Sequence, residues 1–191
     1  MARPKADLGA EAADARIKEA FWYILRTGSY EDVTIKRLAL EAKVNHKTIY
    51  YHYNNVDQMA EALFSELQQD IDLGAIIKSS FEGDSVESYL KSPALQEKMS
   101  KALLFARGDS AYLSSIFTKN VIRKWLEYMG IEESDLSDED SFDLRLLVCG
   151  LAGAIGFAQK KGKVNVLQTL PSRELGLKIA EAFRTIAEKY A

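Results

Sequence analysis

The sequence predicts an all-α protein in two parts, a small N-terminal head and a larger C-terminal body. Apolar residues recur every three or four positions in successive segments, which is the spacing of one helix face. Capping residues and glycines bound these segments, and no segment is rich in strand-forming patterns. The 191 residues, 47% of them apolar and 28% charged, can bury a core without a metal or disulfide.

The first predicted helix of the head extends from about Glu11 to Thr27, after a flexible arm over residues 1–10. Gly28 is its stop signal, and its apolar stripe contains Ile17, Ala20, Phe21, Ile24 and Leu25. Thr34 is the predicted N-cap of a second helix, and Asn45 that of a short third helix. Lys43 forms the turn between them together with Val44. Two short helices joined in this way predict a helix-turn-helix.

The third helix has too few apolar residues for a core element, with Ile49 as its main inward position. Such a helix suits the major groove, where side chains read base edges and bond phosphates. The alternative is a surface or interface element. For DNA binding, the predicted contacts are Thr34, Lys36, Asn45, His46, Lys47, Thr48, Tyr50, Tyr51, His52 and Asn55.

Positive charge is local to this stretch. The net charge of the chain is −3, whereas four cations face one anion between Thr34 and Asn55. Residues 1–70 as a whole contain nine Lys or Arg and eleven Asp or Glu. This distribution argues against a general polyanion binder, so we expect a small nucleic-acid footprint that depends on a few positioned contacts.

The segment from Ile17 to Leu67 resembles the tetracycline-repressor (TetR) family of bacterial transcription regulators. Three residues depart from the family pattern: Lys43 replaces a common turn glycine, Lys47 a small residue, and Val56 a phosphate-binding lysine. The residues that carry the resemblance are Gly28, Thr34, Leu38, Ala39, Ala42, Val44 and the run Thr48-Ile49-Tyr50-Tyr51-His52-Tyr53.

The resemblance implies a three-helix DNA-binding head containing the helix-turn-helix, and a helical-bundle body that binds a ligand and dimerises. We expect the head to cover residues 11–70, with the fourth helix as its link, and the body to cover residues 71–191. Apolar patterns, caps and glycines predict the later elements: helices Val56–Leu73, Pro93–Gly108, Ser110–Met129 with Asp109 as cap, Ser141–Lys160 and one from about Pro171, with loops at Ile76–Pro93, Glu132–Asp140 and Lys161–Thr169.

In TetR-like proteins the last two helices pair with those of a second copy. Gly150, Gly153 and Gly156 lower helix propensity, which is tolerable where one backbone must approach another closely. With Ile179 and Phe183 they form the predicted dimer interface, packing within one chain being the alternative. The resemblance also implies an effector pocket, for which the candidates are Phe105, Tyr112, Phe117, Trp125 and Phe157; the alternative is plain core.

We therefore expect a DNA-binding transcriptional regulator, a ligand-responsive homodimeric repressor of a near-palindromic operator. An activator, or a helical interaction protein that does not bind DNA, is the alternative. No nucleophile or phosphate-loop motif is present, and two histidines six residues apart lack metal-site spacing, so no enzyme activity, cofactor or metal is expected. The lone Cys149 is predicted as a core residue. Without a signal peptide or an apolar run of about 20 residues, a cytoplasmic location away from membranes is expected.

Overall fold

The structure, a computed structural model, describes residues 5–71, 93–163 and 169–190. Every long regular element within these ranges is a helix, which confirms the all-α fold class. Of the predicted loops, Ile76–Pro93 lies outside these ranges except for Pro93, Lys161–Thr169 lies partly outside them, and Glu132–Asp140 lies within them. The chain divides into two compact units, Met1–Glu66 and Leu67–Ala191. The α-helices are α1 (Lys5–Thr27), α2 (Ile35–Ala42), α3 (His46–His52), α4 (Val56–Asp70), α5 (Pro93–Phe105), α6 (Ala111–Met129), α7 (Asp138–Lys160) and α8 (Glu174–Glu188).

The first unit is built on α1, against which α2 and α3 pack. This helix begins at Lys5, so the described part of the predicted flexible arm is helical instead. The apolar stripe of α1 is buried as its spacing predicts, at Ile17, Ala20, Phe21, Ile24 and Leu25.

Both predicted caps in the first unit are confirmed. Thr34 Oγ1 accepts a hydrogen bond from the Arg37 N–H at 3.2 Å, and Asn45 Oδ1 accepts one from the Lys47 N–H at 2.9 Å. Between the two helices, Lys43 adopts the left-handed conformation, with φ 53° and ψ 48°. It is the only non-glycine residue with positive φ in the described ranges.

The core of the second unit is formed by α6, α7 and α8. Trp125 lies in it with its ring centroid 5.7 Å from that of Phe183. Phe183 was expected at a dimer interface, but it is 8% exposed because α8 directs it into this core. The other buried members are Ile122, Leu126, Ile131, Leu144, Val148, Ile186 and Ala187.

Three helix starts in the second unit differ from their predictions. Helix α8 begins at Glu174 instead of near Pro171, because Leu170–Ser172 forms a separate 3-10 turn. Asp109 does not cap α6, because its carboxylate pairs with Arg107, and Ser110 Oγ accepts the hydrogen bond from the Leu113 N–H. Helix α7 begins at Asp138, three residues earlier than predicted, because Ser137 supplies its N-cap. Acidic residues predicted in a loop therefore form the first turn of α7, where they favour the helix dipole.

Gly156 also differs from its predicted place in a dimer interface. It is buried, and a Cβ atom built on it would lie 2.5 Å from the Ala106 carbonyl oxygen and 2.7 Å from that of Arg107. The glycine therefore allows α7 to approach the backbone at the end of α5 within one chain.

Lys189 and Tyr190, which follow α8, are hydrogen-bonded to Asp140 at the start of α7. This buried carboxylate accepts hydrogen bonds from Lys189 Nζ, from the Tyr190 hydroxyl at 2.7 Å and from Ser137 Oγ at 2.8 Å. The Tyr190 hydroxyl in turn accepts a hydrogen bond from the Ser137 N–H at 2.8 Å. These donors, with Lys189 the strongest, lower the pKa of Asp140 to about 2.

We expect low pH to weaken these interactions of Asp140. Because the folded pKa of Asp140 lies below that of an unfolded aspartate, its ionised form stabilises the fold above about pH 4, and this contribution is lost as the pH falls towards 2. Asp140→Asn should lower Tm at pH 7 and flatten the acid side of a Tm-against-pH profile. Asp143→Asn, at an exposed position of the same helix, is the matched control. Equal profiles for Asp140→Asn and the wild type would contradict this assignment.

Candidate nucleic-acid interface

Helix α3 is held from its inner side by two residues. Ile49 is fully buried, and Tyr53, just after the helix, is 6% exposed. The Tyr53 hydroxyl donates a hydrogen bond to Asp14 Oδ1 of α1 at 2.7 Å. Burial and the neighbouring Asp14 carboxylate raise the pKa of Tyr53, so the hydroxyl keeps the proton that it donates. The short helix is thereby fixed to α1.

Lys18 forms ion pairs with Asp14, the carboxylate behind α3, and with Glu66. Its Nζ lies 3.0 Å from Asp14 Oδ2 and 2.6 Å from Glu66 Oε1. Burial opposes the charge of Lys18, but the hydrogen bonds to Glu66 and Asp14 outweigh burial and raise its pKa. The single positive charge of Lys18 is thus shared between Asp14 and Glu66.

The outward side of α3 presents four of the residues predicted to bind DNA. His46 and Lys47 are exposed, Tyr50 is 56% exposed and Tyr51 is 79% exposed. Lys36 is exposed on the preceding helix α2. These side chains form a surface of cations, imidazole and phenol groups, which can donate hydrogen bonds to phosphates or to base edges.

Three further predicted contacts lie at helix starts. The side-chain oxygens of Thr34 and Asn45 already accept the capping bonds of α2 and α3. Asn55 Oδ1 does the same for α4, accepting from the Gln58 N–H at 2.7 Å. All three residues are exposed, so the Thr34 hydroxyl proton and the amide N–H groups of the asparagines are placed to donate.

His52 and Thr48 lie deeper than the others. The side chain of His52 is 15% exposed, its Nδ1 lies 3.9 Å from Asp14 Oδ1, and its ring packs edge-on against Tyr51. Its Nε2 is buried and has no hydrogen-bond partner among the described residues. His52 therefore supports α3 from the α1 side rather than extending its outer surface. Thr48 is half-buried.

A groove of about 550 Å³ lies between α1 and α3. Two cations that line it, Arg16 and Lys43, were not among the predicted contacts. Arg16 reaches the groove only because α1 packs beside α3, which no local sequence pattern encodes, whereas Lys43 lies in the predicted turn before α3. The predicted contacts that line the same groove are Lys47, Thr48, Tyr51 and His52.

The five aromatic residues predicted for an effector pocket do not share one environment. Phe105 and Trp125 are core residues, with 0% and 2% exposure. Tyr112 and Phe117 are half-buried, whereas Phe157 is 63% exposed. Phe105 and Trp125 are therefore core residues, which was the alternative to their lining a pocket.

An apolar face covers one side of α7 and the adjoining part of α8. Leu146 is 61% exposed, Phe157 63% and Leu175 62%, and all three line a surface groove of about 530 Å³. Gly150 and Ile179, both predicted at the dimer interface, line it too. Gly153 and Cys149 are exposed on α7, so Cys149 is not the core residue that was predicted.

The composition of α7 is unusual for a helix with so much exposed surface. Among the described residues it is the one helix long and apolar enough to span a membrane, and 28% of its apolar window is buried. Its first turn carries three acids, Asp138, Glu139 and Asp140. Large exposed apolar patches mark sites of association.

No group of three or more His, Cys, Asp or Glu side chains placed to hold a metal ion occurs in the part of the chain that the structure describes. No family model matches the chain, and no curated protein matches it in sequence. The resemblance to the TetR family therefore stays a prediction based on the residues of the α1–α4 segment.

Proposed function

We propose that the chain is a sequence-specific DNA-binding transcriptional regulator, with α2 and α3 as its helix-turn-helix and α3 in the major groove. The observation that carries this proposal is the division of α3 into two sides. Ile49 and Tyr53 fasten it inward, while its exposed positions hold cationic, imidazole and phenol side chains. A helix that is firmly anchored yet presents polar hydrogen-bonding groups matches the needs of base and phosphate recognition.

We further propose that the regulator acts as a homodimer through the apolar face of α7 and α8. The exposed Leu146, Phe157 and Leu175 would be buried by a second copy, and the small Gly150 and Gly153 would let two helices approach closely. Two copies of α3 would then occupy the half-sites of a near-palindromic operator. The TetR resemblance supports this arrangement, together with a small-molecule effector and repression as the response.

Selection from fragmented genomic DNA tests the function directly. The full-length protein is mixed with fragments from its own genome, bound fragments are sequenced, and enriched sites are re-measured by mobility shift at low salt. We expect a short near-palindromic sequence to be enriched and to resist competitor DNA. If no fragment is enriched, the regulator proposal is wrong. In vitro transcription from an enriched promoter then separates repression from activation.

A helical interaction protein is the second candidate, favoured by the large exposed apolar face of α7. It predicts self-association or capture of a protein partner without any selective DNA enrichment. The genomic selection and a light-scattering measurement of mass together discriminate the two candidates.

Exchanges on α3 should separate base contacts from phosphate contacts. Tyr50→Ala is expected to weaken binding to all sequences alike, by about 1–2 kcal/mol, because a tyrosine hydroxyl bonds a phosphate. His46→Ala or Lys47→Ala should change the preferred sequence and cost about 1–3 kcal/mol at the native site. Binding to a library of single-base operator variants measures both. If Lys47→Ala weakened binding without changing the preferred sequence, its assignment to base reading would be wrong.

A further inference from the structure

We infer that the groove between α1 and α3 holds the phosphates of one DNA strand, with Arg16 and Lys43 as backbone contacts. The inference rests on the proposed function and adds two residues to its binding surface. It also assigns a role to the α1 side of α3, which the helix-turn-helix pattern alone leaves without one.

Charge is the first argument. Three cations line the groove, Arg16, Lys43 and Lys47, and among the side chains that the structure describes no carboxylate does. None of the three forms an ion pair within the described ranges, although the chain carries an excess of acids. Arg16 Nε donates to the Ala12 carbonyl at 3.3 Å, which leaves its terminal NH₂ groups for a ligand. Concentrated, unneutralised positive charge in a concave site favours an anion.

The carboxylate of Asp14, 3.9 Å from His52 Nδ1, does not cancel this charge. Asp14 lies behind His52, but its oxygens are engaged by Tyr53 at 2.7 Å and by Lys18 at 3.0 Å. Both oxygens of Asp14 are therefore engaged by Tyr53 and Lys18, and neither pairs with one of the three cations that line the groove. The groove keeps its cations together with two hydroxyl donors, those of Thr48 and Tyr51.

The conformation of Lys43 is the second argument. A left-handed backbone disfavours residues with a Cβ, and a glycine would make this turn without strain. The chain instead places an exposed lysine there, on the rim of a cationic groove. Non-glycine residues in the left-handed conformation cluster at functional sites.

The location favours a strand of duplex DNA over other anions. When α3 lies in the major groove, the sugar-phosphate strands border it on both sides, so a groove formed by the flank of α3 and by α1 faces one strand. Arginine, lysine and hydroxyl groups are the usual donors to DNA phosphates. Arg16 and Lys43 would fix the register of α3 without reading sequence.

The salt dependence of binding to a labelled 30-base-pair duplex of mixed sequence tests the inference. Affinity is measured by fluorescence anisotropy between about 50 and 200 mM NaCl, and log K is plotted against log salt. The Arg16→Gln/Lys43→Asn double variant should have a slope smaller in magnitude by about 1.8, since each lost phosphate contact removes about 0.9. Asparagine tolerates the left-handed turn, so the fold should survive.

Two controls keep the result specific. Arg26→Gln removes an exposed cation from the last turn of the same helix α1 and should leave the slope unchanged. Lys43→Arg should keep the wild-type slope because it retains the charge. Equal melting curves by circular dichroism establish that the variants are folded.

Each outcome has a distinct meaning. An unchanged slope in the folded double variant, with a wild type that binds DNA, overturns the groove assignment and leaves the proposed function standing. A wild type that binds no duplex overturns both. Calorimetry with inorganic tripolyphosphate at fixed ionic strength forms the last arm. If it binds more tightly than the duplex and is lost in the double variant, the groove is a site for a free polyphosphate and the DNA-strand assignment is wrong.

Discussion

Leu146→Asp is expected to convert the proposed dimer to a monomer and to weaken binding to the proposed operator by about 100-fold or more, since two linked half-site contacts are lost together. Leu146 is 61% exposed on α7, so a carboxylate there costs the single chain little. In a dimer formed through this face the same carboxylate would be buried against apolar side chains without a partner. Light scattering after size-exclusion chromatography gives the mass, and anisotropy with the selected operator gives the affinity.

Leu177→Asp is the matched control. Leu177 is 59% exposed on α8 but does not line the apolar groove that contains Leu146 and Leu175. It should leave both mass and affinity unchanged. If the two variants behaved alike, the groove would not be the interface. A wild type that is monomeric at all concentrations would contradict the dimer itself.

Cys149 provides an independent measurement of the same face. It is the only cysteine of the chain and is exposed on α7, one position before Gly150. Its rate of labelling by a maleimide should fall as the protein concentration rises, because the dimer would cover it. Leu146→Asp should abolish this concentration dependence. Co-sedimentation of the wild type with phospholipid vesicles, lost in Leu146→Asp, would instead assign the face to a bilayer.

Local features of this chain could be predicted from its sequence because local bonds determine them. Thr34 and Asn45 cap their helices through hydrogen bonds that span two or three residues. The predicted cap at Asp109 is wrong because of one neighbouring charge. A charge pair with Arg107, two positions away, occupies its carboxylate, and the cap moves to the next residue, Ser110.

The direction in which a side chain points could not be predicted in this way, because it depends on tertiary packing. His52 belongs to the polar set of α3, yet it turns towards Asp14 of α1, 38 positions earlier. Arg16 reaches the candidate interface only through the packing of α1 beside α3. A helix rotates by about 100° per residue, so Gly150 and Gly156 point about 120° apart despite their regular spacing. The predicted dimer interface contains both glycines, but this rotation keeps them from lying on one face of α7.

Opposite changes in stability are expected when Gly156 and Gly153 are replaced by alanine. Gly156→Ala should destabilise the fold by about 1–3 kcal/mol, because its Cβ would overlap two backbone carbonyls that cannot move aside as a side chain would. Gly153→Ala should stabilise it by about 0.5–1 kcal/mol, since no atom of the described residues lies within 4 Å of its Cβ position and alanine favours the helix.

Urea unfolding in the Leu146→Asp background measures both changes without a contribution from assembly. In the wild-type background, Gly153→Ala should still raise the free energy of unfolding of the single chain. It should weaken the proposed dimer if the α7 helices of two copies meet at this glycine. A Gly153→Ala variant that was both more stable and fully dimeric would exclude close backbone approach there. Loss of stability in both glycine variants would mean that Gly153, like Gly156, packs within one chain, and the proposed α7 interface would lose its closest point of contact.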